Sequence, residues 1–157
     1  MLWQTKTMAV YFECFIKTDM PRQELFEKSL SIDAHTGSMA HSAEQAIAGI
    51  TSGQIALGEQ VTWRAKHFGF PLRMTSEISE LDAPFTFTDQ QVRGPFKKFH
   101  HVHEFYVGEN ATLMVDKIHF EAPLGPLGWL VERLVLSWYM PRLIRVRNAY
   151  LVNTSAT

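Results

Sequence analysis

Phe99-His100-His101-Val102-His103-Glu104-Phe105-Tyr106-Val107-Gly108-Glu109-Asn110-Ala111-Thr112-Leu113-Met114-Val115-Asp116-Lys117-Ile118-His119-Phe120 is the stretch on which the fold turns. Two runs rich in β-branched and aromatic residues flank a Gly-Glu-Asn turn signal, the pattern of an antiparallel hairpin. With Gly108 and Ala111 flanking a two-residue turn, Phe105 lies opposite Met114, His103 opposite Asp116, His101 opposite Ile118 and Phe99 opposite Phe120. These eight side chains share one face. Five are strongly apolar, so the face is expected to turn inward, carrying His101, His103 and Asp116 with it, while His100 and His119 face the other way.

The preceding segment reads similarly. A turn at Gly94-Pro95-Phe96 sets Arg93 opposite Lys97, Gln91 opposite Phe99 and Asp89 opposite His101. An inner face holding Asp89, Gln91, His101, His103 and Asp116 among aromatics is too polar for a solid core, because buried charge must be paired, hydrogen-bonded or wetted. A partly apolar cavity reached by water meets that demand.

Farther out, Val10, Phe12, Cys14 and Ile16 alternate with Tyr11, Glu13 and Lys17, the period of a half-buried strand. Asp19 and Pro21 are suited to starting a short helix with Leu25, Phe26 and Leu30 on its apolar stripe. Ser31 and Asp33 start a second, running to about Ser42. From Glu44 the segments shorten and turn signals recur at Thr51-Ser52-Gly53, Phe68-Gly69-Phe70-Pro71, Asp82-Ala83-Pro84 and Gly94-Pro95, giving six successive strands joined as hairpins. After Pro123 a helix is expected with Leu127, Leu130, Val131, Leu134 and Trp138 on one face, continued by Leu143, Val146 and Tyr150. Pro141 should kink that helix rather than end it.

The chain has 157 residues, with Lys+Arg 15 against Asp+Glu 16, enough for one domain and without the basic field that nucleic-acid binding needs. Cys14 is the only cysteine, which excludes an intrachain disulfide and a thiolate metal cluster. No apolar run is long enough for a membrane span, so stable insertion is not expected. The first residues lack the pattern of a secretory leader, and a cytoplasmic location is the expectation. Residues 1–7 are read as an N-terminal extension and 8–152 as a single domain.

The segments Gly58-Glu59-Gln60-Val61-Thr62-Trp63-Arg64-Ala65-Lys66-His67-Phe68-Gly69 and Phe87-Thr88-Asp89-Gln90-Gln91-Val92-Arg93-Gly94-Pro95-Phe96 resemble the START-like (SRPBCC) superfamily. So do the strand with His101, His103 and Phe105, residues Asp116 to Pro123, and Gly125. That superfamily includes polyketide cyclase/dehydratase-like and Bet v 1-like proteins. The resemblance implies an α+β helix-grip fold, in which a seven-stranded curved antiparallel sheet with two short helices after its first strand closes on a long C-terminal helix around a hydrophobic-ligand cavity. It implies no single reaction, since some members bind and others catalyse.

The expected ligand is a small hydrophobic or amphipathic molecule. Arg64, Asp89, Gln91, His101, His103 and Asp116 would orient it, and Phe87, Phe99, Phe105, Met114 and Trp138 would supply walls. Which face of the strand carrying Thr62, Arg64 and Lys66 is internal stays open, as does whether Arg64 binds ligand or forms an exposed stripe. Three readings compete for the polar cluster. It is a buried network fixing strand register, a ligand-orienting set, or an acid/base dyad of His103 and Asp116 in a cyclase- or dehydratase-like enzyme. His101-Val102-His103 with Asp116 also has the composition of an iron or zinc site, but satisfaction by neighbours is the preferred reading, and no metal or other cofactor is assigned. His35, His41 and His67 show no evident partners. A phosphate-binding loop and a nucleophile elbow are absent.

Overall fold

A computed structural model describes residues 9–122 and 125–154, without the side chains of Pro126, Leu127, Val131, Leu134 and Val135. The expected extension at 1–7, Met8, and the Pro123-Leu124 lead-in to the last helix lie outside the described residues.

The order is β1 (Ala9–Thr18), α1 (Arg22–Ser29), α2 (Ile32–Ser38), a 3-10 turn (Ala40–Ser42), β2 (Gln45–Gly49), β3 (Gln60–His67), β4 (Phe70–Asp82), β5 (Thr86–Arg93), β6 (Lys98–Val107) and β7 (Thr112–Glu121). A final helical run comprises α3 (Pro126–Val131), a π-helical turn (Glu132–Leu136) and α4 (Ser137–Asn153). The seven strands form one curved antiparallel sheet ordered β1-β7-β6-β5-β4-β3-β2. Fold class and element order are those the sequence implied.

The local causes are readable in the chain. Phe68 and Gly69 both take positive φ, 52° and 79°, which makes the tight turn between His67 and Phe70 whose twist matches the paired strands. Ser31 caps α2 by accepting a hydrogen bond from the Ala34 amide at 3.1 Å. The β6–β7 register pairs Phe99 with Phe120, His101 with Ile118, His103 with Asp116 and Phe105 with Met114. Burial along β7 alternates without interruption from Thr112 to Phe120, so one face is inner and His100 and His119 stand on the other.

α1 packs against one end of the inner sheet face. Leu25, Phe26, Phe105 and Met114 form a filled core there, with the Phe26 ring edge-on to Phe105 at 5.3 Å. Residues expected to be cavity walls at that end are thereby solid core.

The C-terminal run departs most from expectation. It continues through Pro141, as anticipated, and Leu143 is buried as expected, but Leu130, Trp138 and Val146, also expected on the inward face, are exposed. The π turn has a wider repeat than an α-helix, and Gly128, Glu132, Leu136 and Met140 follow one another in four-residue steps toward the sheet. Glu132 is buried and accepts a hydrogen bond from the Ala122 amide at 3.1 Å. Leu130 is exposed, and Trp138 is 65% exposed with the Arg142 guanidinium over its indole. Trp138 is therefore no cavity wall. Leu143, Ile144, Arg147 and Leu151 carry the buried face onward, while Val146 points out. The side chains of Leu127, Val131 and Leu134 lie outside the described residues.

Candidate functional site

Between the inner face of the sheet, α2 and the final helical run lies a cavity of about 640 Å³. Its walls are mostly apolar, with Val61, Trp63, Met74, Ile78, Leu143 and Ile144 representative. β3 settles a question that period alone left open, because Trp63 and Ala65 are buried and line the space while Arg64 points to solvent. Arg64 donates to Gln45 Oε1 at 2.6 Å on the outer surface. Its expected role as a ligand-binding residue is corrected accordingly, since an unpaired cation on that face would have been buried among apolar walls.

Polar groups gather where β5, β6 and β7 meet α4. The β5–β6 register sets Asp89 opposite His101. Their side chains reach the cavity, as do those of His103, Phe87, Phe99 and Arg147. The His103 ring stacks on Phe87 at 4.1 Å and on His101 at 3.8 Å, which fixes both imidazoles between flat neighbours. His103 Nε2 lies 2.7 Å from Asp89 Oδ2, and His101 Nδ1 is 3.7 Å from the same oxygen. Asp89 stands at the cavity surface with its side chain 21% exposed.

Asp116 lies behind this layer, fully buried and outside the cavity wall. Its Oδ1 accepts from His101 Nε2 at 2.7 Å and its Oδ2 from Asn148 Nδ2 at 2.6 Å. Arg147 Nη1 is 3.5 Å from Oδ1, and reaches Asn148 Oδ1 at 3.3 Å. His103 Nδ1 is 2.9 Å from Asp116 Oδ1, yet it lacks the alignment of a hydrogen bond and has no aligned partner elsewhere. The contact is therefore electrostatic proximity, not a formed bond. Asp116 holds the cavity-lining histidines from the rear and does not itself line the cavity.

Burial pushes the Asp89 carboxyl up, but the His101 and His103 imidazoles outweigh it and hold the group at about 2. Asp116 is likewise raised by burial and pulled well below the usual carboxylate range by the His101 and His103 contacts. Burial disfavours the charged form of His101 and lowers its pKa, with His103 adding to the effect and the two aspartates opposing it.

The other expected site residues separate. Gln91 closes the β5–β6 connection, donating to the Phe96 carbonyl at 2.8 Å and accepting from the Phe96 amide at 3.2 Å. It is not part of the cavity lining. Phe105 and Met114 belong to the filled core beneath α1.

Sequence reasoning missed Arg147 and Asn148. Arg147 stands beside the apolar residues of the last helix, and nothing local in the sequence tells such a residue from one aimed outward. Two histidines thought to be unpartnered also have partners. His35 Nε2 meets Glu44 Oε1 at 2.7 Å and its ring lies 4.3 Å from Trp63, and His67 Nδ1 meets the Tyr139 hydroxyl at 2.9 Å.

No protein-family model matches the sequence, and no curated protein does either. Solved structures match in fold. A protein from Thermus thermophilus superposes with a TM-score of 0.73 at 14% identity, covering 94% of this chain and 100% of that one. Major latex-like protein 151 from Panax ginseng gives 0.62 at 13% identity, over 91% and 95% of the two chains. Norcoclaurine synthase from Thalictrum flavum, in complex with dopamine and hydroxybenzaldehyde, gives 0.64 at 10% identity, over 98% and 92%. At these identities the likeness concerns architecture, and the chain has the Bet v 1-like helix-grip fold.

Proposed function

We propose that this protein binds a small, mostly hydrophobic molecule bearing an oxygen function, held in the cavity with its polar end at Asp89, His101 and His103. The observation that carries this reading is a 640 Å³ space with mostly apolar walls and a convergent polar cluster of Asp89, His101 and His103. That volume lies within the range of about 300–1,000 Å³ usual for small-molecule sites. Phe87, Phe99 and Trp63 supply flat apolar surface, which suits a ring-containing ligand. Norcoclaurine synthase, which shares the fold, is in complex with dopamine and hydroxybenzaldehyde, and small oxygenated aromatics are in keeping with the ligand proposed here. Among the described residues no helix is long and apolar enough to cross a membrane, and a cytoplasmic binding role fits the single buried Cys14.

The test is native mass spectrometry of protein purified without detergent, together with titration by an environment-sensitive apolar dye. One equivalent of dye should bind the wild type, and Ile144→Trp, which fills the cavity, should remove that binding while the far-ultraviolet circular dichroism is retained. Equal dye binding by the filled variant and the wild type refutes the cavity as the site.

The 2.7 Å contact between His103 and Asp89 at the cavity surface, with Asp116 behind it, favours one second reading, an enzyme that moves a proton on its bound substrate. A binder keeps its affinity when His103 becomes Gln, whereas an enzyme keeps binding and loses turnover by about a hundredfold or more.

A further inference from the structure

We propose that Asp89, His101 and His103 form a site for one divalent transition-metal ion at the cavity surface, with its open coordination positions facing the apolar space. The donor atoms are Asp89 Oδ2, His101 Nδ1 and His103 Nε2. One ligand atom from each of these three residues comes within 4.8 Å of the others.

Three independent features of the cluster point to a cation. The first is hydrogen-bond valence. A neutral imidazole has one N–H and one lone pair, and a carboxylate oxygen only accepts. His103 has carboxylate oxygen at both ring nitrogens, 2.7 Å from Nε2 and 2.9 Å from Nδ1. One of those contacts sets lone pair against lone pair unless a second ring proton or a metal ion supplies positive charge there. Nδ1 faces the rear carboxylate, buried and with no aligned partner, which leaves Nε2 as the donor on the Asp89 side.

The second feature is the rear carboxylate. A metal-ligating histidine ordinarily gives its far ring nitrogen to a carboxylate or carbonyl, which fixes tautomer and ring direction. His101 Nε2 meets Asp116 Oδ1 at 2.7 Å and His103 Nδ1 approaches the same oxygen. Asp116 is itself held by Asn148 and Arg147. His101 is thus backed by an anchored carboxylate, His103 Nδ1 lies beside the same oxygen without a formed bond, and both rings present their other nitrogens toward Asp89.

The third is distance and charge. Ligand bonds of about 2.1 Å place neighbouring donor atoms about 3.0–3.4 Å apart in octahedral or tetrahedral geometry. The observed separations from Asp89 Oδ2, 2.7 Å and 3.7 Å, bracket that value, and small rotations of the Asp89 side chain even them out. With the imidazoles neutral, the carboxylates of Asp89 and Asp116 exceed the guanidinium of Arg147, 3.5 Å from Asp116, by one negative charge, which favours uptake of a cation.

Two imidazoles and one carboxylate suit zinc, iron(II) or cobalt(II) and are a poor cradle for magnesium or calcium, which prefer all-oxygen shells. The remaining positions are open to the cavity, where water or an oxygen of the cavity ligand completes the shell. This goes beyond ligand binding and does not require it.

The experiment uses untagged full-length protein stripped with a chelator and then titrated with Zn²⁺ by calorimetry and with Co²⁺ by visible absorption. One equivalent of each is expected, with the Co²⁺ spectrum showing mixed nitrogen and oxygen ligation, and Mg²⁺ should not compete. Asp89→Asn and His103→Gln should abolish stoichiometric uptake, while His119→Gln on the outer sheet face leaves it unchanged. Asn148→Leu, which loosens Asp116, should weaken uptake about 10- to 100-fold. Circular dichroism and apolar-dye binding are followed on every variant. Should Asp89→Asn or His103→Gln unfold, the wild-type Co²⁺ spectrum decides alone, and the spectrum of the free aqua ion overturns the site. Stoichiometric uptake that survives Asp89→Asn in folded protein overturns it too. Absent uptake in wild-type protein that still binds dye refutes the metal and leaves the ligand cavity standing.

Discussion

Replacing Asp116 by Asn keeps the side-chain shape and removes one negative charge from the most enclosed part of the polar cluster. Asp116 is fully buried, accepts hydrogen bonds from His101 and Asn148, and lies 3.5 Å from the guanidinium of Arg147. Arg147 is itself buried, and its other contacts are the neutral Asn148 Oδ1 and the Ser29 carbonyl. The variant therefore leaves a buried cation without its carboxylate and sets one amide N–H₂ against existing donors. Removing one partner of a buried ion pair costs about 3–5 kcal/mol. In equilibrium urea unfolding of chelator-treated protein, with an m-value of about 2 kcal/mol/M, the midpoint should fall by about 1.5–2.5 M at unchanged slope. Arg147→Met alone should also destabilise, because it leaves the Asp116 charge without its cation. The double variant should then be more stable than the sum of the single losses predicts, by about 1–3 kcal/mol. A midpoint shift below about 0.5 M for Asp116→Asn, or strict additivity in the double variant, would show that Asp116 does not hold the cluster together.

Other expectations follow from packing and backbone. Phe120→Ala empties a fully buried site packed by Phe12 and Phe96 and should cost about 3–5 kcal/mol in urea, whereas Trp138→Ala on the exposed face of the final helix should stay within about 0.5 kcal/mol and leave dye binding intact. Gly49 has φ of 72°, and a Cβ there would run into the Gln60 carbonyl, so Gly49→Ala should lose about 1–3 kcal/mol by thermal denaturation. A melt unchanged from wild type would place that backbone differently. Cys14 is buried and its thiol is pushed up by desolvation, so thiolate is scarce at neutral pH. An aromatic disulfide reagent should modify native protein many-fold more slowly than urea-unfolded protein, and equal rates would contradict the burial.

What the sequence determined by itself was whatever a short window can encode. The two-residue period along residues 112–120 and the turn at Gly108 to Ala111 specify both the strands and their register, because a slip of one residue would send Asp116 and Phe120 to the opposite face. The same period placed His101, His103 and Asp116 on the inner face. Tertiary structure decided which side of β3 is internal, since Trp63 and Arg64 alternate equally well either way until the sheet closes on the helices. It decided that the Phe105–Met114 end is filled by α1 while the Asp89–His101 end stays hollow. It also decided the face of the C-terminal run, where the π turn brings Glu132 inward and leaves Trp138 outside. Finally, it joined Arg147 and Asn148 to Asp116 across about thirty residues of chain. Alternation is a property of neighbouring residues, but burial depends on what arrives from elsewhere in the chain, and only packed elements reveal which polar groups must meet.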